Sequence, residues 1–156
     1  MQSGRSILAE AHCDIPCGIY EPVVAKIAAK TVARMVDQIQ ALELPLDQTD
    51  KAALDHYQNA LNRRLAVKEN HAETCKREIE TLWSDFLKPE HLEQFPRLHE
   101  TVWQTLKVAS TCKQEINSEA AHQLVTGVDE IARIFYTVKQ VPDRLKAYQE
   151  LTDHLD

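Results

Sequence analysis

The chain has 156 residues, of which 44% are apolar and 27% are charged, and its formal net charge at pH 7 is −6. This length predicts one domain around a single core, and the composition is ordinary for a globular protein. A negative charge without any basic run argues against a nucleic-acid surface, and no apolar run approaches the ~20 residues that span a bilayer.

Residues 1–11 do not have the composition of a secretory signal. They contain one basic residue, Arg5, an apolar run limited to residues 7–9, and the acidic Glu10; a signal peptide needs a longer apolar stretch. We therefore interpret residues 1–11 as a short propeptide that a processing protease removes, and we expect a cytoplasmic location.

Residues 12–20 carry the chemistry, because they read His-Cys-Asp-Ile-Pro-Cys-Gly-Ile-Tyr. Once His12 becomes the amino terminus, its amine and imidazole, a backbone amide nitrogen and the thiolates of Cys13 and Cys17 lie within one short loop. Mixed nitrogen and sulfur donors packed this closely suit a planar site, which favours Ni(II) or Cu(II) over tetrahedral zinc. The sequence predicts a metal-binding hook over residues 12–20.

The first two predicted helices follow the hook. Pro22 suits a helix start, and the segment 43–49 separates this helix from a long second helix over residues 50–86, with Asp47 or Thr49 as its N-cap. Lys88-Pro89 ends the second helix, because the residue before a proline is disfavoured in helical geometry. Apolar residues at helical spacing define the first helix: Val23, Val24, Ile27, Ala28, Val32, Met35, Val36, Ile39 and Leu42. The seam of the second is Leu61, Leu65, Lys68, Ala72, Cys75, Ile79, Leu82 and Phe86.

Two further long helices are predicted, over about residues 96–113 and from an Asn117 or Ser118 cap to Val138. Pro142 interrupts the pattern, and residues 143–156 form a short terminal helix. Residues 21–156 are therefore predicted to be a helical bundle with a C-terminal extension. The fold class is all-α, an antiparallel four-helix bundle with an N-terminal metal-binding hook. Cys75 and Cys112 fall inside helices and are predicted to be buried free thiols.

The hook closely resembles that of the nickel superoxide dismutases. The matching pattern is His12-Cys13-Asp14-x-Pro16-Cys17-Gly18-x-Tyr20-x-Pro22, and supporting matches are Trp-Ser-Asp-Phe-Leu-Lys-Pro at 83–89 and Phe-Pro-x-Leu-His at 95–99. The resemblance runs from His12 to about Lys139.

This resemblance implies an oxidoreductase that converts two superoxide ions and two protons to dioxygen and hydrogen peroxide. The reaction alternates between Ni(III) and Ni(II) at one nickel ion per subunit, in a homohexamer. Thiolate and amide donors bring that redox couple within reach, which explains why the site uses sulfur despite its sensitivity to oxidation.

The resemblance also implies the nickel ligands. His12 gives its amine and, in the oxidised state, its imidazole. Cys13 gives its thiolate and backbone nitrogen, and Cys17 gives its thiolate. A cis peptide before Pro16 tightens the loop.

Three other residues receive roles from the resemblance. Tyr20 closes the open face of the metal, and Asp14 anchors the hook through hydrogen bonds. Lys88 attracts the superoxide anion locally, because the net charge of the protein repels it.

The chain departs from the family at three positions around the hook. Ala28 and His71 stand where a glutamate and an arginine orient the hook imidazole, and Phe86 stands where a second tyrosine is familiar. Since such outer partners set ligand geometry, either the imidazole is oriented differently here or His71 takes over.

Two other functions are compatible with the hook residues alone. A thiol redox protein could use a Cys13–Cys17 disulfide, although the spacing exceeds Cys-x-x-Cys and no βαβ pattern surrounds it. A non-catalytic carrier could bind nickel or copper, but it would need neither Tyr20 over the metal nor removal of residues 1–11. We also expect the full-length chain to bind nickel weakly, because the nitrogen of His12 is then a peptide nitrogen.

Overall fold

The structure is a computed structural model that describes residues 18–155, and within that range it contains helices and no strand. The helices are α1 Val23–Gln40, α2 Lys51–Thr81, α3 His91–Gln94, α4 Leu98–Gln114, α5 Ser118–Val138 and α6 Pro142–Asp153. A π-helical turn, Leu82–Phe86, continues α2. None of the helices within the described range combines the length and the hydropathy needed to cross a bilayer.

The four long helices form the predicted antiparallel bundle. α1 packs against α2 and α5, and α4 packs against the same two helices, so that each long helix has two neighbours. Contacts between opposite ends fix the direction: the Ser118 hydroxyl at the start of α5 donates to Gln40 at the end of α1. The short α6 lies outside this square and contacts α5 and α1.

The buried face of α1 differs from the prediction in its first turns. Ala25, Ala28 and Ala29 are buried there, whereas Val24 is 47% exposed and Ile27 is 43% exposed. Alanines let the backbone of α1 approach its neighbours closely, and this places the branched side chains on the opposite face. Farther along, Val32, Val36 and Ile39 are buried as predicted.

The N-cap of α2 also differs from the prediction. Asp50 fills this position, and its carboxylate accepts from the amide of Ala53 at 3.2 Å. Asp47 instead accepts from the amide of Thr49 at 2.8 Å and from its hydroxyl at 2.6 Å. A carboxylate that closes a turn two residues ahead is not available to cap the helix beyond it. Neither Asp47 nor Thr49 is therefore the cap.

Buried Lys68 joins α2 to the end of α4. Its ammonium group donates to the carbonyl of Cys112, to that of Lys113 at 3.1 Å and to that of Glu115 at 3.0 Å. The last carbonyls of a helix have no partner within it and attract a cation. A lysine can therefore occupy a position of the predicted apolar seam, because its ammonium group is hydrogen-bonded to the free carbonyls at the end of α4.

Candidate metal centre

The predicted metal ligands lie outside the residues that the structure describes. His12, Cys13, Asp14 and Cys17, together with the predicted cis peptide before Pro16, fall outside residues 18–155. Within that range there is no cluster of three His, Cys, Asp or Glu side chains that could hold a metal ion.

The remaining two cysteines do not qualify as nickel ligands. Cys75 and Cys112 are free and fully buried in the bundle core. Burial raises the pKa of the Cys75 thiol to about 12 and that of the Cys112 thiol to about 11, so both stay protonated at neutral pH. A metal needs the thiolate. Neither buried thiol therefore has the protonation state of a nickel ligand, and the assignment of His12, Cys13 and Cys17 as ligands stays a prediction.

The chain enters the bundle from the hook through Gly18, Ile19 and Tyr20. Gly18 has a φ of +69°, a left-handed backbone conformation that favours glycine. Gly18 and Ile19 are exposed and Tyr20 is half-buried. The backbone thus turns at Gly18, and the side chain of Tyr20, the last residue of the hook, packs against the fold.

An aromatic cluster receives Tyr20. Its ring centroid lies 5.8 Å from that of Phe86, which in turn lies 4.6 Å from Phe135 and 6.1 Å from His91. Phe86 ends the π-helical turn, whose wider spacing is closed by the bond from the amide of Leu87 to the carbonyl of Leu82 at 2.9 Å. Such turns are rare and frequently occur at functional sites; this one brings Phe86 against both Tyr20 and α5.

Lys139 adds a positive charge at the base of the hook. Its ammonium nitrogen lies 3.5 Å from the Tyr20 carbonyl, 4.8 Å from the centroid of Phe135 and 5.6 Å from that of Phe86. Lys139 was not predicted from the sequence, because it lies 119 residues from Tyr20 along the chain; its place near the end of the family resemblance is the one signal that points to it. Lys88, the predicted cation, is exposed in the loop after the π-helical turn.

Glu21 connects the entry segment to the C-terminal half of the chain. Its carboxylate accepts from the hydroxyl of buried Tyr136 on α5 and forms an ion pair with Arg144 on α6. Burial, aided by the bond to Glu21, raises the pKa of the Tyr136 phenol, which therefore remains a hydrogen-bond donor. Neither Glu21 nor Arg144 was predicted from the sequence, because their contact joins residues 123 positions apart.

The two departures on α1 and α2 have different surroundings. Ala28 is buried in the core. The Nδ1 atom of His71 is buried and has no hydrogen-bond partner among residues 18–155. Whether His71 takes over the orientation of the hook imidazole stays a prediction.

The downstream motif holds the end of α2 to the start of α4. Trp83 Nε1 donates to His99 Nδ1 at 3.1 Å, and the two rings meet edge to face at 5.9 Å. The backbone amide of Lys88 donates to His91 Nδ1 at 3.0 Å. His91 and His99 therefore each accept a hydrogen bond within the fold.

The family model for nickel-containing superoxide dismutase matches residues 8–139. The chain belongs to this family. It is 32% identical over 134 residues to Superoxide dismutase [Ni] of Streptomyces coelicolor, covering 86% of this chain and 92% of the relative. The corresponding protein of Streptomyces seoulensis is 31% identical over the same length, with the same shares covered.

Solved structures agree with this assignment. A native nickel superoxide dismutase structure at 1.30 Å superposes with a TM-score of 0.67 and 33% identity, covering 82% of this chain and 99% of the other. Membership of the family makes the chain a nickel-dependent superoxide dismutase, an all-helical oxidoreductase with nickel as its cofactor. The predicted family, fold class, enzyme class and cofactor are confirmed.

Proposed function

We propose that superoxide dismutation takes place at the hook, with His12, Cys13 and Cys17 as the nickel ligands. The observation that carries this proposal is the distribution of cysteines. Cys75 and Cys112 are buried and protonated in the core, whereas Cys13 and Cys17 lie in the short segment of chain that leads to the anchored Tyr20. Bound nickel would supply a one-electron couple, so that one superoxide is oxidised to dioxygen and a second is reduced, with two protons, to hydrogen peroxide.

The residues around the hook would anchor it and supply a positive electrostatic field near the metal. Packing of Tyr20 against Phe86 supports its proposed place over the open face of the metal, and Asp14 would anchor the loop by accepting backbone hydrogen bonds. Because the net charge is −6, the anionic substrate needs a local positive field. Lys88 is the cation proposed from the sequence, and Lys139 at the Tyr20 carbonyl is a second.

We infer that a protease removes residues 1–11 before the site becomes functional. In the unprocessed chain the backbone nitrogen of His12 belongs to the peptide bond with Ala11, and a peptide nitrogen is a much poorer metal ligand than a terminal amine. Cleavage before His12 creates that amine. This proposal rests on the donor chemistry of His12. Amino-terminal sequencing of the purified, active protein tests it: a terminus at His12 would support the proposal, and an active protein that keeps residues 1–11 would contradict it.

We also propose that the chain assembles as a homo-oligomer, a hexamer by resemblance to its family. Three exposed apolar side chains support a covered surface near the hook: Ile19 is 77% exposed, and Val24 and Ile27 lie on the first turns of α1. All three lie within the nine-residue segment 19–27, and contiguous exposed apolar patches mark interaction sites on soluble proteins. The cytoplasmic location expected from the sequence stays a proposal.

The decisive experiment compares superoxide dismutation by nickel-loaded protein that begins at His12 with that by the Cys13→Ser variant. Loss of nearly all activity and of tight nickel binding is expected in Cys13→Ser, because one sulfur ligand is lost. Cys75→Ala is the matched control and should keep both. Full-length protein, confirmed intact by mass spectrometry, should bind nickel weakly and show little turnover.

Two results would contradict the proposed site. Activity retained in Cys13→Ser would place the centre elsewhere, and tight nickel binding without turnover would favour the carrier function.

The proposed attraction of superoxide by lysines can be tested in the same assay. Lys88→Ala and Lys139→Ala should lower kcat/KM most at low ionic strength, where attraction of the substrate is least screened.

A further inference from the structure

We propose that α6 positions the hook, with Arg144 and Tyr136 holding Glu21, the residue that follows Tyr20. The inference rests on the proposed function, since it concerns how the base of the hook is held. It adds to that function because the family model ends at residue 139 and α6 spans Pro142–Asp153.

The first step is the clamp on Glu21. Its carboxylate meets the Tyr136 hydroxyl from α5 and the Arg144 guanidinium from α6. Tyr136 is almost fully buried, so its hydroxyl has a fixed position. The guanidinium of Arg144 forms an ion pair with a carboxylate that already accepts a hydrogen bond from Tyr136. Hydrogen bonds between charged groups are stronger than those between neutral groups. Glu21 is thus held from two helices at once.

The second step is the anchoring of α6 itself. Tyr148 is buried, and its hydroxyl donates to Asp129 on α5 at 2.9 Å. The same carboxylate accepts from the buried Lys26 of α1 at 2.5 and 2.6 Å. Burial raises the pKa of Tyr148, which keeps the phenol protonated as the donor. α6 is therefore tied to α5 and α1 by a polar network, and does not merely lie on the surface.

The third step is a continuous row of rings between α6 and the hook. Tyr148 lies 5.6 Å from Tyr136, which lies 5.2 Å from Phe135. Phe135 contacts Phe86, and Phe86 contacts Tyr20. Packed rings transmit a displacement because interiors are dense and contain little free space. A shift of α6 therefore reaches Tyr20 by two routes, through Glu21 and through the rings.

The test uses nickel-loaded protein that begins at His12, with the substitutions Arg144→Ala, Arg144→Lys and Tyr136→Phe. The readouts are the electron paramagnetic resonance spectrum of the oxidised centre, the nickel dissociation constant by chelator competition, and the melting temperature. Lys146→Ala is the matched control, because Lys146 lies on α6 and pairs only with exposed Glu150, at 3.7 Å, among the contacts described.

Arg144→Ala and Tyr136→Phe should each weaken nickel binding by about tenfold, the lower end of what outer partners of metal ligands contribute, and should change the spectrum. Arg144→Lys should restore most of both properties, and Lys146→Ala should change neither. Unchanged spectra and nickel affinity in Arg144→Ala and Tyr136→Phe, or the same loss in Lys146→Ala, would overturn the inference while leaving the hook assignment intact. Failure of the unsubstituted protein to bind nickel would overturn the proposed function as well.

Discussion

At the scale of single residues, the fold separates two kinds of cysteine. The core surrounds Cys75 and Cys112 so completely that their thiols stay neutral, and a neutral thiol is a poor ligand and a poor nucleophile. The sequence could predict their burial from helical spacing. It could not predict which charged side chains lie near these thiols, because such contacts join segments that are distant along the chain. Lys68 of α2, for example, donates to the carbonyl of Lys113 at the end of α4.

These buried thiols predict how stability depends on pH. In the folded chain the pKa of Cys75 is about 12 and that of Cys112 about 11, above the ordinary value of about 9 in the unfolded chain. The folded form therefore binds more protons above pH 9, and the free energy of unfolding falls as the pH rises from 9 towards 11. The limiting slope is about 1.4 kcal/mol per pH unit for each thiol.

Urea unfolding at pH 8, 9.5 and 10.5 under reducing conditions measures this effect, with Cys75→Ala as the comparison. The substitution should lower stability at pH 8, because it removes a buried sulfur, and should also make the decline at high pH shallower. An identical decline in both proteins would show that Cys75 does not titrate in this way.

At the scale of the elements, the approach of α4 to α5 depends on Gly127. A Cβ atom at this position would lie 2.4 Å from Oγ1 and 2.8 Å from Cγ2 of Thr105, a buried residue of α4. Thr105 has little freedom to move, because its hydroxyl donates to the Thr101 carbonyl at 2.7 Å. The glycine therefore permits the helices to pack this closely.

Gly127→Ala should destabilise the protein despite the better helix propensity of alanine. Propensity favours alanine by about 1 kcal/mol, whereas overpacking a core costs about 1–3 kcal/mol, so a net loss of about 1 kcal/mol is expected. Urea unfolding measures it, and Thr105→Ala in the same chain should recover part of the loss through the coupling of neighbours. A gain in stability from Gly127→Ala alone would contradict the close contact.

The sequence predicts where the helices lie better than it predicts their local geometry and which of their side chains are buried. Apolar spacing predicted the four long helices, and one predicted cap is confirmed: Asn117 caps α5 by accepting from the Ala120 amide at 3.0 Å. The π-helical turn at the end of α2 was not predicted, because its extra residue per turn is imposed by packing rather than by a local signal. The exposure of Val24 and Ile27 was missed for a related reason: periodicity identifies an apolar side of a helix but not which alanines will face a neighbour.

At the scale of the whole molecule, the chain combines a small helical bundle and a net charge of −6 with a predicted metal-binding segment that precedes α1 in the sequence. Helical periodicity was sufficient for the bundle, and the hook pattern was sufficient for the family. The clamp on Glu21 could not be predicted, because it depends on α6 folding back onto α1, and nothing near residue 21 indicates an arginine at 144. Long-range contacts of this kind depend on the complete fold.

Self-association is the prediction that belongs to this scale. If the exposed side of α1 near the hook contacts a second copy, Ile27→Asp should dissociate the assembly, since it places a charge in an apolar interface. Native mass spectrometry of the unsubstituted protein should give six times the mass of the processed chain, and Ile27→Asp should shift it to smaller species. Leu151→Asp is the matched control, because Leu151 is 58% exposed on α6 and should not alter the mass. An unsubstituted protein that is monomeric, or an Ile27→Asp variant that keeps its full mass, would show that this side of α1 is not where copies meet.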